Sequence, residues 1–398
     1  MFKFNQANVV YSPKVIGCLL QAPATVNRAA TVNCLITPRL IDRRPISTDT
    51  LPTGHVPSKV IASASKSFLP AQGKETPTLK RILAPQRPVL ELRSHCLARA
   101  RMADEPTIHT LYERRTGTWQ YVVSDPSTKA AVIVDPVLDY DSTTQIITTD
   151  TADSILSLVK QKGLRVERIL ETHVHADHIT AASYLQNRLS REQDHEPLVC
   201  IGKRIVQVQE LFGQRYQIPA EEYKGVFDKL LDDDETFSLG KLTVTALHLP
   251  GHTPDHMGYT IGDNVFCGDS VLNPDFGTAR ADFPGGSVSD LFHSGRKLLS
   301  LPEHVRIWTG HDYLTEEREA AVPFMTVRDH REGNKHLRDG LTEKDFVALR
   351  TQRDATLPAP KLLHPSLQMN IRAGRLPRPT ALGERVLHLP LKLGGIEW

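Results

Sequence analysis

Cysteine is scarce in this chain. Five occur in 398 residues, at positions 18, 34, 96, 200 and 267, with no Cys-x-x-Cys among them. That excludes a disulfide framework or a cysteine-built zinc site as the organising device, and it favours a reducing compartment. None follows Cys267, which argues against an appended sulfurtransferase domain working through a catalytic cysteine. Long apolar runs are missing too: none approaches the roughly 20 residues that a membrane-spanning helix needs. Acidic residues are nearly absent from the first hundred positions, where 4 stand against 14 Lys and Arg. The remaining positions reverse the balance, with 42 acidic and 34 basic residues. The two parts of the chain obey different rules.

Residues 1–101 are rich in Pro, Ser, Thr and Ala, and hydrophobic periodicity is weak. Basic, hydroxyl-rich and acid-poor is the composition of an organellar transit segment, which predicts a mitochondrial location; without it the expectation is cytoplasmic. The bland alternative is a disordered extension, or a start at Met102. Nucleic acid is not expected as a partner, because the basic residues form no dense run and lack interleaved aromatics.

What is abundant is histidine in one place. Thr172-His173-Val174-His175-Ala176-Asp177-His178 holds three imidazoles and a carboxylate within six residues. No single strand or helix puts all four on one side, so the chain must turn there. The flanks agree: 166–170 reads as a buried strand and 179–189 has helical spacing. Imidazole and carboxylate are the ligands that borderline and hard divalent metals prefer.

The chain around this stretch reads as short strands at 108–112, 119–124 and 130–134, and a helix over 153–162. Then come a strand at 198–201, a helix over 203–212 and a strand over 241–249. A hairpin follows across Gly262-Asp263, then a helix over 287–299 and a strand at 305–309. Helices are predicted over 316–337 and 341–350, and a Pro-rich basic tail over 357–398 is expected to lie on the surface. Asp232-Asp233-Asp234 reads as a solvated turn. A pattern recurs at the strand ends: a β-run stops, a glycine appears, and His252, Asp269 or His311 stands at the tip. Rigid strand ends suit ligands. His256 and His248 read as structural, and Cys267 as strand packing.

Taken together, His173-x-His175-x-Asp177-His178 followed by His252, Asp269 and His311 resembles the ligand order of the metallo-β-lactamase fold superfamily, over about 107–340. The resemblance implies an α/β fold, an αββα sandwich with the metal site at the edge of its two sheets. The domain is expected over 102–340, with a helical and Pro-rich extension, 341–398, packed on it. The segment 273–286 (Asn273-Pro274-Asp275-Phe276-Gly277-Thr278-Ala279-Arg280-Ala281-Asp282-Phe283-Pro284-Gly285-Gly286) resembles that of persulfide dioxygenases. So do the 172–180 stretch, Gly251-His252-Thr253-Pro254 and His311-Asp312-Tyr313, and 367–374 resembles a tail seen in that broader group.

That family implies one Fe(II) per chain, held by His173, His252 and Asp269, oxidising glutathione persulfide with O₂ to sulfite and glutathione. His175, Asp177, His178 and His311 would then surround the ligands or serve as additional ones, Arg280 would bind glutathione, and Tyr313 would line the pocket. The rival expectation is a glyoxalase II-type hydroxyacylglutathione hydrolase, using all seven residues and two Zn or mixed Zn/Fe. A homodimer is compatible with either.

Overall fold

The structure is a computed structural model that describes residues 105–313 and 318–395. The basic N-terminal segment 1–101 and its transit reading lie outside the described residues. The first half runs β1 (Thr107–Glu113), β2 (Thr118–Ser124), β3 (Ala130–Val134), β4 (Val137–Asp141), β5 (Ile146–Thr148), α1 (Asp150–Lys162), β6 (Arg165–Leu170), β7 (Ile179–Thr180), α2 (Ala182–Glu192), β8 (Leu198–Gly202) and α3 (Ile205–Arg215). The second half runs β9 (Lys229–Leu231), β10 (Thr236–Leu239), β11 (Leu242–His248), β12 (Met257–Ile261), β13 (Asn264–Phe266), α4 (Val288–Leu299), β14 (Arg306–Trp308), β15 (Phe324–Thr326), α5 (Val327–Gly333), α6 (Glu343–Asp354) and α7 (Leu363–Asn370).

Strand alternation builds the layers. Along β2, Tyr121 and Val123 face one way and Val122 the other, yet all are buried. A strand covered on both faces needs apolar side chains at every position, and β3 (AAVIV) has them. Two six-stranded sheets result, ordered β1-β2-β3-β6-β8-β9 and β10-β11-β12-β13-β14-β15. Tyr121, Val132 and Leu170 of the first pack against Val244, Tyr259 and Phe266 of the second. The outer face of the first sheet is covered by α1, α2, α3 and α7, through Ile155, Leu185, Phe212 and Leu367 among others. The outer face of the second is covered by α4 and α6, where Leu291 and Phe346 meet Val265 and Ile307. The order is helix, sheet, sheet, helix, as the resemblance implied.

Three local expectations are corrected. The helix predicted over 179–189 begins only at Ala182, because β-branched Ile179 and Thr180 pair with Leu138 and Val137 instead. The helix predicted over 316–337 shrinks to Val327–Gly333, started by a capping box between Thr326 and Asp329 and preceded by strand β15. The helix predicted to stop at 212 continues to Arg215, since Gly213 is there for packing: a Cβ would come within 2.4 Å of the Tyr223 ring. The tail also departs from a surface strap, because Leu367, Met369, Ile371 and Ala373 are buried in the first core.

Candidate metal centre

The seven expected residues converge at one edge of the sandwich, each delivered by the end of a strand. The 171–178 loop follows β6 and forms neither helix nor strand. Its backbone groups are therefore satisfied by side chains from elsewhere. Asp135 accepts from the Thr172 amide at 2.7 Å and the Thr172 hydroxyl at 2.8 Å. Asp255 accepts from the Val174 amide at 2.9 Å. Asn370, on α7, donates to the carbonyls of His175 and His178, each at 2.8 Å, and accepts from the Thr180 amide at 2.9 Å. Three segments far apart in sequence thus set the shape of one loop.

The glycines at the strand tips are there for close approach. Gly268 has φ +50°, and a Cβ on it would meet the Thr172 side chain at 2.5 Å. A Cβ on Gly310 would stand 2.6 Å from the Asp269 carboxylate. The Gly310 amide also donates to the Gly268 carbonyl at 2.8 Å, tying the Asp269 and His311 tips together.

Hydrogen bonds fix which imidazole nitrogen is bare. His252 Nδ1 is 2.6 Å from the Arg280 carbonyl, which can only accept, so Nδ1 carries the proton and Nε2 is free. It stands 3.6 Å from Asp269 Oδ2. His173 Nδ1 is 3.0 Å from the Thr172 hydroxyl, whose own proton goes to Asp135, leaving His173 Nε2 bare. His175 Nε2 lies 3.1 Å from Asp135 and 3.3 Å from Glu171, which leaves its Nδ1 bare. His311 Nε2 is 3.1 Å from Asp177 Oδ2 and 3.6 Å from Asp269 Oδ2.

Those bare atoms test whether the residues suit a metal. His173 Nε2, His175 Nδ1, His178 Nε2 and Asp269 Oδ1 are all buried without a hydrogen-bond partner. Each such atom costs about 1–3 kcal/mol unless something meets it, and metal ions would meet them. Donor atoms of His173, His252 and Asp269 lie within 4.8 Å of one another, as do those of His175, Asp177 and His178. Burial and the neighbouring imidazoles hold His173 well below the usual histidine range, and burial lowers His178 as well. Neutral imidazole is the form that binds metal.

Burial also works on His175, but Asp135 and Glu171 outweigh it and raise that ring, so its Nδ1 has to shed a proton before it can serve a metal. Asp177 is lowered despite burial, by His311 and His178. Sequence reasoning missed His256 as a supporting residue. Its Nε2 accepts from the Asp269 amide at 3.1 Å, and its ring stacks on His173 with centroids 4.7 Å apart. It also missed the roles of Asp135, Asp255 and Asn370; a lone Asp or Asn carries no periodic signal.

The site opens into a cavity of about 670 Å³ whose walls include Leu138, Ile179, Phe276, Phe283 and Leu363. Tyr313 lines it and stacks on His311, centroids 5.5 Å apart and planes 4° from parallel. Arg280 lines it too, but its guanidinium is engaged: Nε and Nη2 donate to Asp282 at 2.5 and 2.6 Å, and Nη1 to the Pro358 carbonyl at 2.7 Å. Arg353 has no carboxylate partner among the described residues and lies 5.6 Å from the centre of the Phe276 ring. His248 makes a bond to the Pro254 carbonyl, and burial pushes the Cys267 thiol up to about 12, in keeping with structural roles.

With this geometry in place, comparison with known proteins is decisive at one level. Residues 114–311 match the model of the metallo-beta-lactamase superfamily. A probable metallo-hydrolase of Burkholderia pseudomallei is 43% identical over 298 residues, covering 72% of this chain and 99% of that protein. The chain belongs to the metallo-beta-lactamase superfamily. Glyoxylase B2 of Dictyostelium discoideum is 40% identical over 293 residues, 73% of this chain and 98% of that one. The human mitochondrial persulfide dioxygenase ETHE1 is more distant, 27% identical over 277 residues, 69% of this chain and 91% of that one. The crystal structure of ETHE1 from Myxococcus xanthus superposes with a TM-score of 0.54 at 26% identity, over 68% of this chain and all of that one. A His/Asp cluster able to hold a metal thus stands on this superfamily's fold.

Next to the site, the 277–281 segment carries a pH dependence. His336 Nδ1 accepts from the Thr278 amide at 3.0 Å, and burial with nearby Arg350 and Arg353 pushes its ring down to about 3. The unfolded chain, with an ordinary histidine near 6.5, binds the extra proton in the window between these values. Stability is therefore fully present above about 6.5 and falls as pH drops toward 3, by about 1.4 kcal/mol per unit. Urea unfolding midpoints for wild type and His336→Gln between pH 7 and about 4.5 check this. The wild type should lose more stability on acidification than the variant; parallel curves would contradict it.

Proposed function

We propose that the chain is a metal-dependent thioester hydrolase of the glyoxalase II type, acting on an S-acylglutathione. The observation that carries this reading is the position of Asp269, whose Oδ2 lies 3.6 Å from both His252 Nε2 and His311 Nε2. One carboxylate thus faces two sets of donors. His173 and His252 with Asp269 would hold one ion; Asp177, His178 and His311 would hold a second against the same carboxylate. When bound, such a pair supplies a water nucleophile at neutral pH and positive charge for the developing oxyanion. The net reaction adds water across the thioester C–S bond, giving a carboxylate and the glutathione thiol. The names of the 43% and 40% identical relatives, a metallo-hydrolase and a glyoxylase, support the same chemistry.

The protein's own part is to bind and orient. The apolar wall takes the acyl and cysteinyl portions. Because Arg280 is already paired with Asp282, the contact to a glutathione carboxylate passes to Arg353, and Arg280 shapes the wall. A charge-assisted contact of this kind contributes about 1.5–3 kcal/mol. Arg353→Met should therefore raise KM for S-lactoylglutathione by about tenfold or more while changing kcat less than about threefold. An unchanged KM would remove Arg353 from recognition.

One observation favours a second reading, persulfide oxidation. The segment 273–286, which resembles persulfide dioxygenases, supplies both the cavity wall and the carbonyl that orients His252. On that reading, His173, His252 and Asp269 hold one Fe(II), which supplies dioxygen chemistry when bound. Protein loaded anaerobically with Fe(II), and separately with Zn(II), separates the two. Thioester loss from S-lactoylglutathione with background oxygen uptake on glutathione persulfide supports hydrolysis. Oxygen uptake with sulfite formation and no thioester cleavage would replace it with the dioxygenase.

A further inference from the structure

We propose that Arg350 and Asp354, on α6, are positioning residues for the metal ligand His252. Neither touches the ligand. They act through the backbone of the 278–281 segment, whose third residue, Arg280, carries the carbonyl that accepts the hydrogen bond from His252 Nδ1.

The contacts form a closed bracket. Arg350 Nη1 donates to the Thr278 carbonyl at 3.3 Å. Asp354 Oδ2 accepts from the Ala281 amide at 3.0 Å. Arg350 Nη2 and Asp354 Oδ1 are themselves bonded, one turn apart on the helix. Between Thr278 and Ala281 lies Arg280, and its carbonyl is 2.6 Å from His252 Nδ1. The far side of the segment is fixed as well, since the Thr278 amide donates to His336. Moving the Arg280 carbonyl requires breaking a bond on one side or the other.

The burial of the pair is hard to explain by stability alone. Arg350 is 1% exposed and Asp354 6%, and Arg350 Nε has no hydrogen-bond partner among the described residues. A buried ion pair is commonly no more stable than an apolar pair of the same size. What this one does is hold two backbone groups of opposite polarity, a carbonyl and an amide, at a set spacing. A hydrophobic pair could fill the volume but could not bond to either. The group so held determines which nitrogen of His252 faces Asp269, and outer partners of metal-bound histidines change metal affinity by about 10–100-fold. The site therefore extends past residue 340 into the C-terminal helices, with α6 supporting His252 as α7 supports the histidine loop.

Metal binding tests this without reference to any substrate. Wild-type protein, Arg350→Met and Asp354→Asn would be stripped of metal and titrated with Zn(II) against a chromophoric chelator. Co(II) absorption spectra of the same proteins report ligand geometry. The control is Thr342→Ala, which removes the hydroxyl that caps α6 at the opposite end from the bracket. Both site variants should fall at least tenfold in Zn(II) affinity with altered Co(II) bands, whereas Thr342→Ala lowers the melting temperature and leaves both unchanged. Site variants that bind Zn(II) like wild type overturn the proposal. So does an equal loss of affinity in Thr342→Ala, which would reduce the effect to general loosening of α6. Should either single variant fail to fold, the paired replacement Arg350→Met with Asp354→Leu restores an apolar fit, and wild-type affinity in that folded protein is equally fatal. The outcome stands apart from the choice between hydrolysis and oxidation, since both use His252.

Discussion

Replacing Asp269 with alanine removes bound metal and turnover together. Its carboxylate belongs to the compact His173–His252–Asp269 cluster, and its Oδ2 also faces His311. No other carboxylate stands in that cluster, so the remaining imidazoles supply no compensating charge. The backbone does not need the side chain: the Asp269 amide is held by His256, and Oδ1 has no hydrogen-bond partner among the described residues. The variant should therefore fold, with a metal-free melting temperature close to that of the metal-free parent. A loss of at least a thousandfold in kcat/KM, about 4 kcal/mol, is expected. Metal analysis after dialysis checks the binding half of the claim. Full metal retention in Asp269→Ala would show that the carboxylate is not a ligand.

Asn370→Ala should be the most damaging change outside the ligands. One amide satisfies two carbonyls and one N–H of the histidine loop. Alanine leaves all three without their protein partner, and Asn370 is itself only 2% exposed. At about 1–3 kcal/mol per unsatisfied group, the cost is about 3–9 kcal/mol, against a total stability of roughly 5–15 kcal/mol. The melting temperature should fall by roughly 10 °C or more. Metal affinity should fall too, because His175 and His178 are carried by the freed carbonyl groups. Asn370→Asp is the informative partner: it keeps the size and the acceptor but cannot donate. If Asn370→Ala melts within about 2 °C of wild type, the amide is not what shapes the loop.

Much of this site was legible in the sequence because its ligands sit where hydrophobic periodicity stops. A strand such as β6 announces itself by composition, and a histidine after its last apolar residue has few structural explanations. All seven ligand candidates converge. The supports were not legible. His256, Asp255 and Asn370 act through hydrogen bonds that span 13 to 195 positions of sequence, and nothing local distinguishes them from ordinary polar residues. Arg280 shows the same limit from the other side. Its place in the 273–286 segment was clear, but not that Asp282 would engage its guanidinium or that its carbonyl would face His252. The helix expected at 179–189 starts later, at Ala182, for a related reason: Ile179 and Thr180 suit a helical stripe, yet the pairing available on β4 suits their branched side chains better.

The convergence on Asp269 also alters the balance between the two chemistries. From sequence, His175, Asp177, His178 and His311 could be mere neighbours of a single iron. In the fold, His311 Nε2 lies as close to Asp269 as His252 Nε2 does, Asp177 lies 3.1 Å from that same His311 nitrogen, and His178 Nε2 is buried and unmet among the described residues. That arrangement is a second set of donors, and a second set has a use in hydrolysis that it lacks at a mononuclear site.

Metal stoichiometry tests this most directly. Stripped protein would be titrated separately with Zn(II) and, anaerobically, with Fe(II), and the tightly bound metal per chain counted against measured thioester hydrolysis. Two ions per chain are expected, with hydrolysis of S-lactoylglutathione rising to its maximum as the second binds. Saturation at one iron per chain, with no hydrolysis and with sulfite formed from glutathione persulfide, would contradict the account.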